Sequence, residues 1–198
     1  MPMTTGAQTF LDLAPLLDLV DLVIFGDSLV QAESTTLAEL RTATEEWRGS
    51  AAARARQAAR MVRADVESPM ETRLRLLIVL AGLPEPTVNH RLCAPDGTLV
   101  CRLDLAYVEH RLGVEYDGRH HAESPDQWRR DVRRREYLDG RSWRLVVVIG
   151  QDFFADPADI LRRVCDAARS VGMPMPEPKN VWRRYFRASP HGAVDDSD

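Results

Sequence analysis

Three strand-like segments and one continuous apolar segment constrain the fold of this chain more than any other feature. Residues 88–92 alternate in polarity, an Asp-Gly turn follows at 96–97, and the alternation resumes at 99–105. This pattern predicts a β-hairpin. Residues 112–117 predict a third strand, and the β-branched segment at 143–149 predicts a buried central strand.

Helix signals surround these strands. The Ser-Pro-Met-Glu sequence at 68–71 is typical of a helix start, and that helix is expected to end at about residue 81, before Gly82. Polar residues 128–138 predict a second helix, and the Asp-Pro pair at 156–157 predicts a third. The order of elements is therefore helix, three strands, helix, strand, helix, which predicts an α/β protein.

The rest of the chain indicates how the domains are arranged. Residues 1–65 are expected to form a helical region, because apolar residues recur there at helical spacing. Residues 66–172 are expected to hold the α/β domain, and residues 173–198 have the prolines and acidic end of a linker and tail. Within that tail, residues 181–187 (Val-Trp-Arg-Arg-Tyr-Phe-Arg) could dock on this protein, on a partner or on nucleic acid.

Composition narrows the class of protein. With 198 residues, 44% hydrophobic and 28% charged, the chain reads as an ordinary soluble protein. A net charge of −4 gives no global signal for nucleic-acid binding, so any such surface must be local. The three cysteines form no Cys-x-x-Cys pair, which favours reduced thiols and a cytoplasmic location. Aspartates interrupt the apolar run at 11–25, so neither a signal peptide nor a membrane span is expected.

Three acidic residues on the predicted strands indicate a metal site. Side chains alternate along a strand, so Glu115 and Asp117 share one face and lie about 6–7 Å apart. Asp104 lies on the neighbouring strand. Carboxylates this close repel one another unless a cation lies between them, and hard oxygen ligands suit Mg²⁺ or Mn²⁺.

Each acidic residue also has a purely structural interpretation. Glu71, three residues after Ser68, could complete a capping box. Asp104 could pair with an arginine such as Arg102 or Arg144, and Glu115 has a similar structural alternative. Asp117 could be a turn residue at the end of its strand.

The helix at 128–138 carries a cluster of arginines that could contact phosphates. Asp131 and Glu136 lie among them, so the same cluster could instead be a solvated, salt-bridged face. Trp128 and Trp143 are expected in the core rather than stacked on bases. The arginines proposed to contact nucleic acid are Arg119, Arg129, Arg130, Arg133 and Arg134.

Five segments together resemble a known family. They are residues 68–77 (Ser-Pro-Met-Glu-Thr-Arg-Leu-Arg-Leu-Leu), 102–107 (Arg-Leu-Asp-Leu-Ala-Tyr), 114–121 (Val-Glu-Tyr-Asp-Gly-Arg-His-His), 127–131 (Gln-Trp-Arg-Arg-Asp) and 143–146 (Trp-Arg-Leu-Val). Their combination resembles actinobacterial proteins with a domain of unknown function (DUF559 type), which are related to very-short-patch-repair endonucleases. The resemblance implies the restriction-endonuclease-like PD-(D/E)XK fold, a mixed sheet core flanked by helices and preceded here by a small helical region.

The resemblance also implies an activity and a site. It implies a Mg²⁺- or Mn²⁺-dependent endonuclease that hydrolyses DNA phosphodiesters, with Asp104 and Glu115 as the principal metal ligands. Glu71 and Asp117 would complete the site. DNA is the expected partner, with a protein partner or a second copy of the chain as further possibilities.

The chain departs from the family pattern at one position. The restriction-like fold usually shows a lysine where this chain has Asp117, and an aspartate could instead bind a second metal ion or accept a proton. His121, or its neighbour His120, is then the expected general acid or base.

A second function remains open at this stage. The missing lysine favours a nucleic-acid-binding or regulatory module that keeps the fold without catalysis, in a toxin–antitoxin or phage-defence system. Longer family members often carry a winged helix before the helical region, and this chain is expected to begin after that segment.

Overall fold

The computed structural model describes residues 5–118 and 125–187. The chain divides into two compact units, Met1–Leu76 and Leu77–Asp198, and the boundary falls within a helix. No helix in the described ranges combines the length and the apolar character that crossing a bilayer requires.

The first unit is helical, as predicted. Side-chain caps begin three of its helices, because Thr5, Asp18 and Thr36 each accept a hydrogen bond from a backbone N–H of the following turn. Thr36 and Glu39 complete a reciprocal capping box. The helices are α1 (Gly6–Leu13), α2 (Leu19–Gln31), α3 (Leu37–Glu46), α4 (Ala52–Met61) and the beginning of α5 (Pro69–Leu80).

A buried ion pair links α2 to α5 within this unit. The Asp27 carboxylate accepts hydrogen bonds from Thr72 Oγ1 at 2.7 Å, from Arg75 Nη2 at 3.1 Å and from the Arg63 backbone N–H at 2.8 Å. Asp27 and Arg75 are both buried. Burial raises the pKa of the Asp27 carboxyl, while the Arg75 charge and the hydrogen bonds oppose that rise. Each charge therefore depends on the other to offset its loss of water.

Replacing Asp27→Ala is expected to destabilise the first unit by roughly 3–5 kcal/mol, because Arg75 would lose a buried counter-charge. The matched control is Asp21→Ala, which removes a more exposed pair with Arg73 between the same two helices. That control is expected to cost about 1 kcal/mol or less. Urea denaturation followed by circular dichroism measures both changes, and equal losses in the two variants would contradict the expectation.

The second unit contains a four-stranded mixed sheet, which confirms the predicted α/β class. The strands are β1 (Thr87–Cys93), β2 (Leu99–Tyr107), β3 (Leu112–Asp117) and β4 (Arg144–Ile149), in the spatial order β1-β2-β3-β4. The two hairpin connections make β2 antiparallel to both β1 and β3. β4 is parallel to β3, because the helix between them returns the chain to the end of the sheet where β3 begins.

Along the chain, helices of the second unit lie before, between and after its strands. They are the C-terminal part of α5, then α6 (Pro125–Asp139), α7 (Gly150–Ala155) and α8 (Pro157–Ser170). The short helix α7 was not predicted. Asp156 caps α8 by accepting a hydrogen bond from the Ala158 N–H at 3.0 Å, and Pro157 occupies its first turn, as the sequence indicated.

Two expectations about burial in this unit were wrong and one is confirmed. β4 is an edge strand among the described strands, and its alternate residues Val147 and Ile149 are exposed. β-branched composition indicates a pleated strand, but it does not say whether both faces are covered.

Trp128 is 62% exposed rather than in the core, whereas Trp143 is buried in a cluster with Leu138, as predicted.

The chain after α8 packs on this protein. Trp182 and Phe186 are 4% and 5% exposed, and the Lys179 N–H donates a 2.7 Å hydrogen bond to the Ala81 carbonyl. The Phe186 ring lies 6.5 Å from the Phe153 ring, centroid to centroid. The sequence left open whether residues 181–187 dock on this protein, on a partner or on nucleic acid. In the structure they pack on this protein.

Replacing Phe186→Ala is expected to destabilise the second unit by roughly 3 kcal/mol, because it removes a buried ring that its neighbours cannot fully replace. Val181→Ala is the control within the same segment, since Val181 is 55% exposed and should change stability little. Chemical denaturation monitored by tryptophan fluorescence compares the two. A Phe186 variant as stable as the control would show that the segment does not contribute to the core.

Candidate functional site

β2 and β3 bring Asp104 and Glu115 side by side. The ladder pairs Tyr107 with Leu112 and Leu105 with Val114, and Asp104 and Glu115 follow directly beyond this last pair on β2 and β3. At that point the Tyr116 backbone N–H donates a 2.8 Å hydrogen bond to Asp104 Oδ2. The carboxylate thus takes the place of a backbone acceptor, which explains how an aspartate is accommodated within an apolar strand.

Arg134 of α6 contacts Glu115. Its Nη2 donates to Glu115 Oε1 in a close charge-assisted contact. The Glu115 side chain is 11% exposed and that of Arg134 is 30% exposed, so this contact is shielded from solvent more than a surface pair. Burial lowers the pKa of the Arg134 guanidinium, but the charge and hydrogen bond of Glu115, together with the nearby Cys101 and Asp104, raise it overall.

The helical position of Arg134 explains why it reaches the sheet. Arg134 lies one turn before Leu138, so the two side chains share a face of α6. Leu138 is buried against Cys101 of β2, and the Arg134 charge opposes the rise that burial causes in the pKa of the Cys101 thiol. The spacing from Leu138 is therefore a sequence signal that Arg134 faces inward, which the prediction of Arg134 as a phosphate contact did not take into account.

The third predicted carboxylate lies at the end of β3. Asp117 pairs with Ile149 in the parallel ladder and is partly buried. Among residues 5–118 and 125–187, no group of three or more His, Cys, Asp or Glu side chains is placed to hold a metal ion. Asp104 and Glu115 nevertheless offer adjacent oxygen donors, the kind that suits Mg²⁺ or Mn²⁺.

The remaining predicted catalytic residues are placed as follows. Glu71 lies in the first unit, where its backbone N–H donates to Ser68 Oγ at 3.2 Å and its carboxylate accepts from the Glu67 N–H at 3.0 Å. Its side chain therefore takes part in a helix-start arrangement close to the predicted capping box, one residue removed from it. His120 and His121 lie outside the described residues.

The predicted phosphate-binding arginines divide into two groups. Arg129, Arg130 and Arg133 are exposed on α6, beside the exposed indole of Trp128. Arg134 is partly buried and contacts Glu115. Arg119 lies outside the described residues. The exposed group is accessible to a phosphate backbone, whereas Arg134 is engaged with Glu115.

Comparison with known proteins points to the same part of the chain. A family model described as REase_MTES_1575 matches residues 96–168, which include the strands that carry Asp104 and Glu115. This part of the chain is similar to a restriction-endonuclease-like family. The similarity supports a nuclease-type function, and families of this kind generally use divalent metal ions.

Two curated relatives come from Mycobacterium tuberculosis. They are the uncharacterized proteins MT2308, of strain CDC 1551 / Oshkosh, and Rv2248, of strain ATCC 25618 / H37Rv. Each is 29% identical to this chain over 109 residues, which cover 54% of this chain and 40% of the relative. The chain thus spans well under half the length of these relatives. No solved structure matches the chain significantly.

A double-mutant cycle between Glu115→Gln and Arg134→Gln is expected to give a coupling free energy of about 1–2 kcal/mol, because the contact is charge-assisted and mostly shielded. The control cycle uses Asp166→Asn and Arg162→Gln, an exposed pair one turn apart on α8. That pair should couple far more weakly. Free energies of unfolding from urea titrations supply both cycles, and a coupling no larger than that of the control would show that the Arg134 contact is not persistent.

Proposed function

We propose that this chain is a metal-dependent DNA endonuclease of the restriction-like, very-short-patch-repair-like type, related to DUF559 proteins. The observation that carries the proposal is the adjacency of Asp104 and Glu115 within the segment that resembles a restriction-endonuclease-like family. The substrate would be a DNA phosphodiester, and the cofactor Mg²⁺ or Mn²⁺.

In this proposal the chain's own residues orient the reacting groups. Asp104 and Glu115 would hold the metal ion, and the Tyr116 N–H would keep the Asp104 carboxylate turned toward its neighbour. A bound Mg²⁺ or Mn²⁺ supplies Lewis-acid activation of the phosphodiester. Asp117, at the end of β3, would accept a proton or complete the ligand set.

Other predicted residues have supporting roles in the proposal. Arg129, Arg130 and Arg133 would hold the DNA backbone through contacts that do not depend on base sequence. The resemblance alone supports roles for Glu71, Arg119, His120 and His121 in the proposed function.

The decisive test compares Asp104→Asn and Glu115→Gln with the control Glu109→Gln, which changes an exposed carboxylate between the same two strands. Cleavage of plasmid and mismatched duplex DNA in Mn²⁺ is expected to fall by about 100-fold or more in both site variants, because each loses a charged ligand. The control should cleave like the wild type. Cleavage that survives in both site variants, with their fold intact by circular dichroism, would refute the proposal.

A second function is supported by the contact between Arg134 and Glu115. A guanidinium held against this carboxylate gives Glu115 a structural role that needs no metal ion. The alternative is a non-catalytic nucleic-acid-binding or regulatory module, in a toxin–antitoxin or phage-defence system. DNA binding that is sensitive to salt but indifferent to Mn²⁺ and to Glu115→Gln would favour this function over the first.

A further inference from the structure

Arg134 is less exposed than Arg129, Arg130 and Arg133 of the same helix. Arg129, Arg130 and Arg133 are exposed, whereas Arg134 donates to Glu115 and lies close enough to Asp104 and Cys101 to interact with both electrostatically. These three partners belong to β2 and β3. One side chain from α6 therefore meets both strands at the place where the two carboxylates lie side by side.

A fixed cation at this position has two physical effects. Adjacent carboxylates repel each other, and a guanidinium beside them offsets part of that repulsion. The planar guanidinium also restricts its partner to a narrow range of orientations, which limits the rotamers available to Glu115. A carboxylate has two oxygens and about four acceptor positions, so a contact at Oε1 is compatible with binding a cation as well.

The location of Arg134 makes it a poor candidate for a DNA contact. To reach a phosphate, the guanidinium would have to leave Glu115. The Glu115 carboxylate would then remain buried without its counter-ion, which is unfavourable. Arg133, the preceding residue on the same helix, is already exposed. Phosphate contact and carboxylate positioning are thus separated between neighbouring arginines.

We propose that Arg134 is a positioning residue that orients Glu115 for metal binding and does not itself contact DNA. This inference rests on the proposed function, because it assigns a partner to one ligand of that same site. Arg134 acts through Glu115, much as groups hydrogen-bonded to metal ligands fix the ligands' orientation in other metal sites.

The test measures Mn²⁺ affinity by calorimetry, without DNA, for the wild type, Arg134→Gln and Arg133→Gln. Arg134→Gln is expected to weaken Mn²⁺ binding by about 10–100-fold, as loss of a group that orients a ligand does. Arg133→Gln should leave Mn²⁺ affinity unchanged. Arg134→Lys keeps the charge without the planar fork and should fall between the wild type and Arg134→Gln.

A second measurement separates positioning from phosphate contact. The salt dependence of DNA binding, measured without divalent metal, should keep its wild-type slope in Arg134→Gln. In Arg133→Gln the slope of log affinity against log salt should fall by about 1, because one phosphate contact is lost. If Arg134→Gln does not fold, Arg134→Lys serves in both measurements.

Two outcomes would overturn the inference while leaving the proposed function intact. One is an Mn²⁺ affinity of Arg134→Gln that equals or exceeds that of the wild type. Arg134 would then have no effect on metal binding or would compete with the metal ion. The other is a salt slope that falls in Arg134→Gln as it does in Arg133→Gln, which would return Arg134 to the DNA surface. If the wild type binds no Mn²⁺ with or without DNA, the proposed function and this inference fail together.

Discussion

The candidate site depends on the pairing of β2 with β3. Their ladder ends where the Asp104 carboxylate accepts the hydrogen bond of the Tyr116 N–H. An aspartate in an apolar strand would be unfavourable without a partner, and this bond supplies one from the backbone itself. Because Tyr116 directly follows Glu115, the same bond holds the Asp104 carboxylate beside the part of β3 that carries Glu115.

Neighbouring elements pack on both faces of this part of β3, because successive side chains of a strand point to opposite faces. Glu115 meets Arg134 of α6, while the ring of Tyr116 lies 6.2 Å from that of Phe153 in α7. Phe153 in turn lies near Phe186, in the chain beyond α8. Residues distant in sequence therefore hold the strand that carries Glu115, and changes beyond the sheet can reach the site through packing.

Local patterns predicted most of the second unit because they reflect periodicity and capping. The strands that carry Asp104 and Glu115, the start of α8 at Pro157 and the burial of Trp143 all followed from such patterns. The exposure of Trp128 did not. An aromatic residue on a polar helix gives no periodic signal of which side it occupies near the helix start, and the surrounding elements decide its burial.

The sequence by itself determined the order of the four strands and of the longer helices around them, and the position of each acidic residue within its strand, because alternation and helix-start signals are local. Only the tertiary structure decided that β4 lies at the edge of the described sheet, and that Trp182 packs on this protein. It also decided that Glu115 is the residue that Arg134 meets on the inward face of α6. These outcomes depend on contacts between segments far apart in the chain, which no local pattern of residue types encodes.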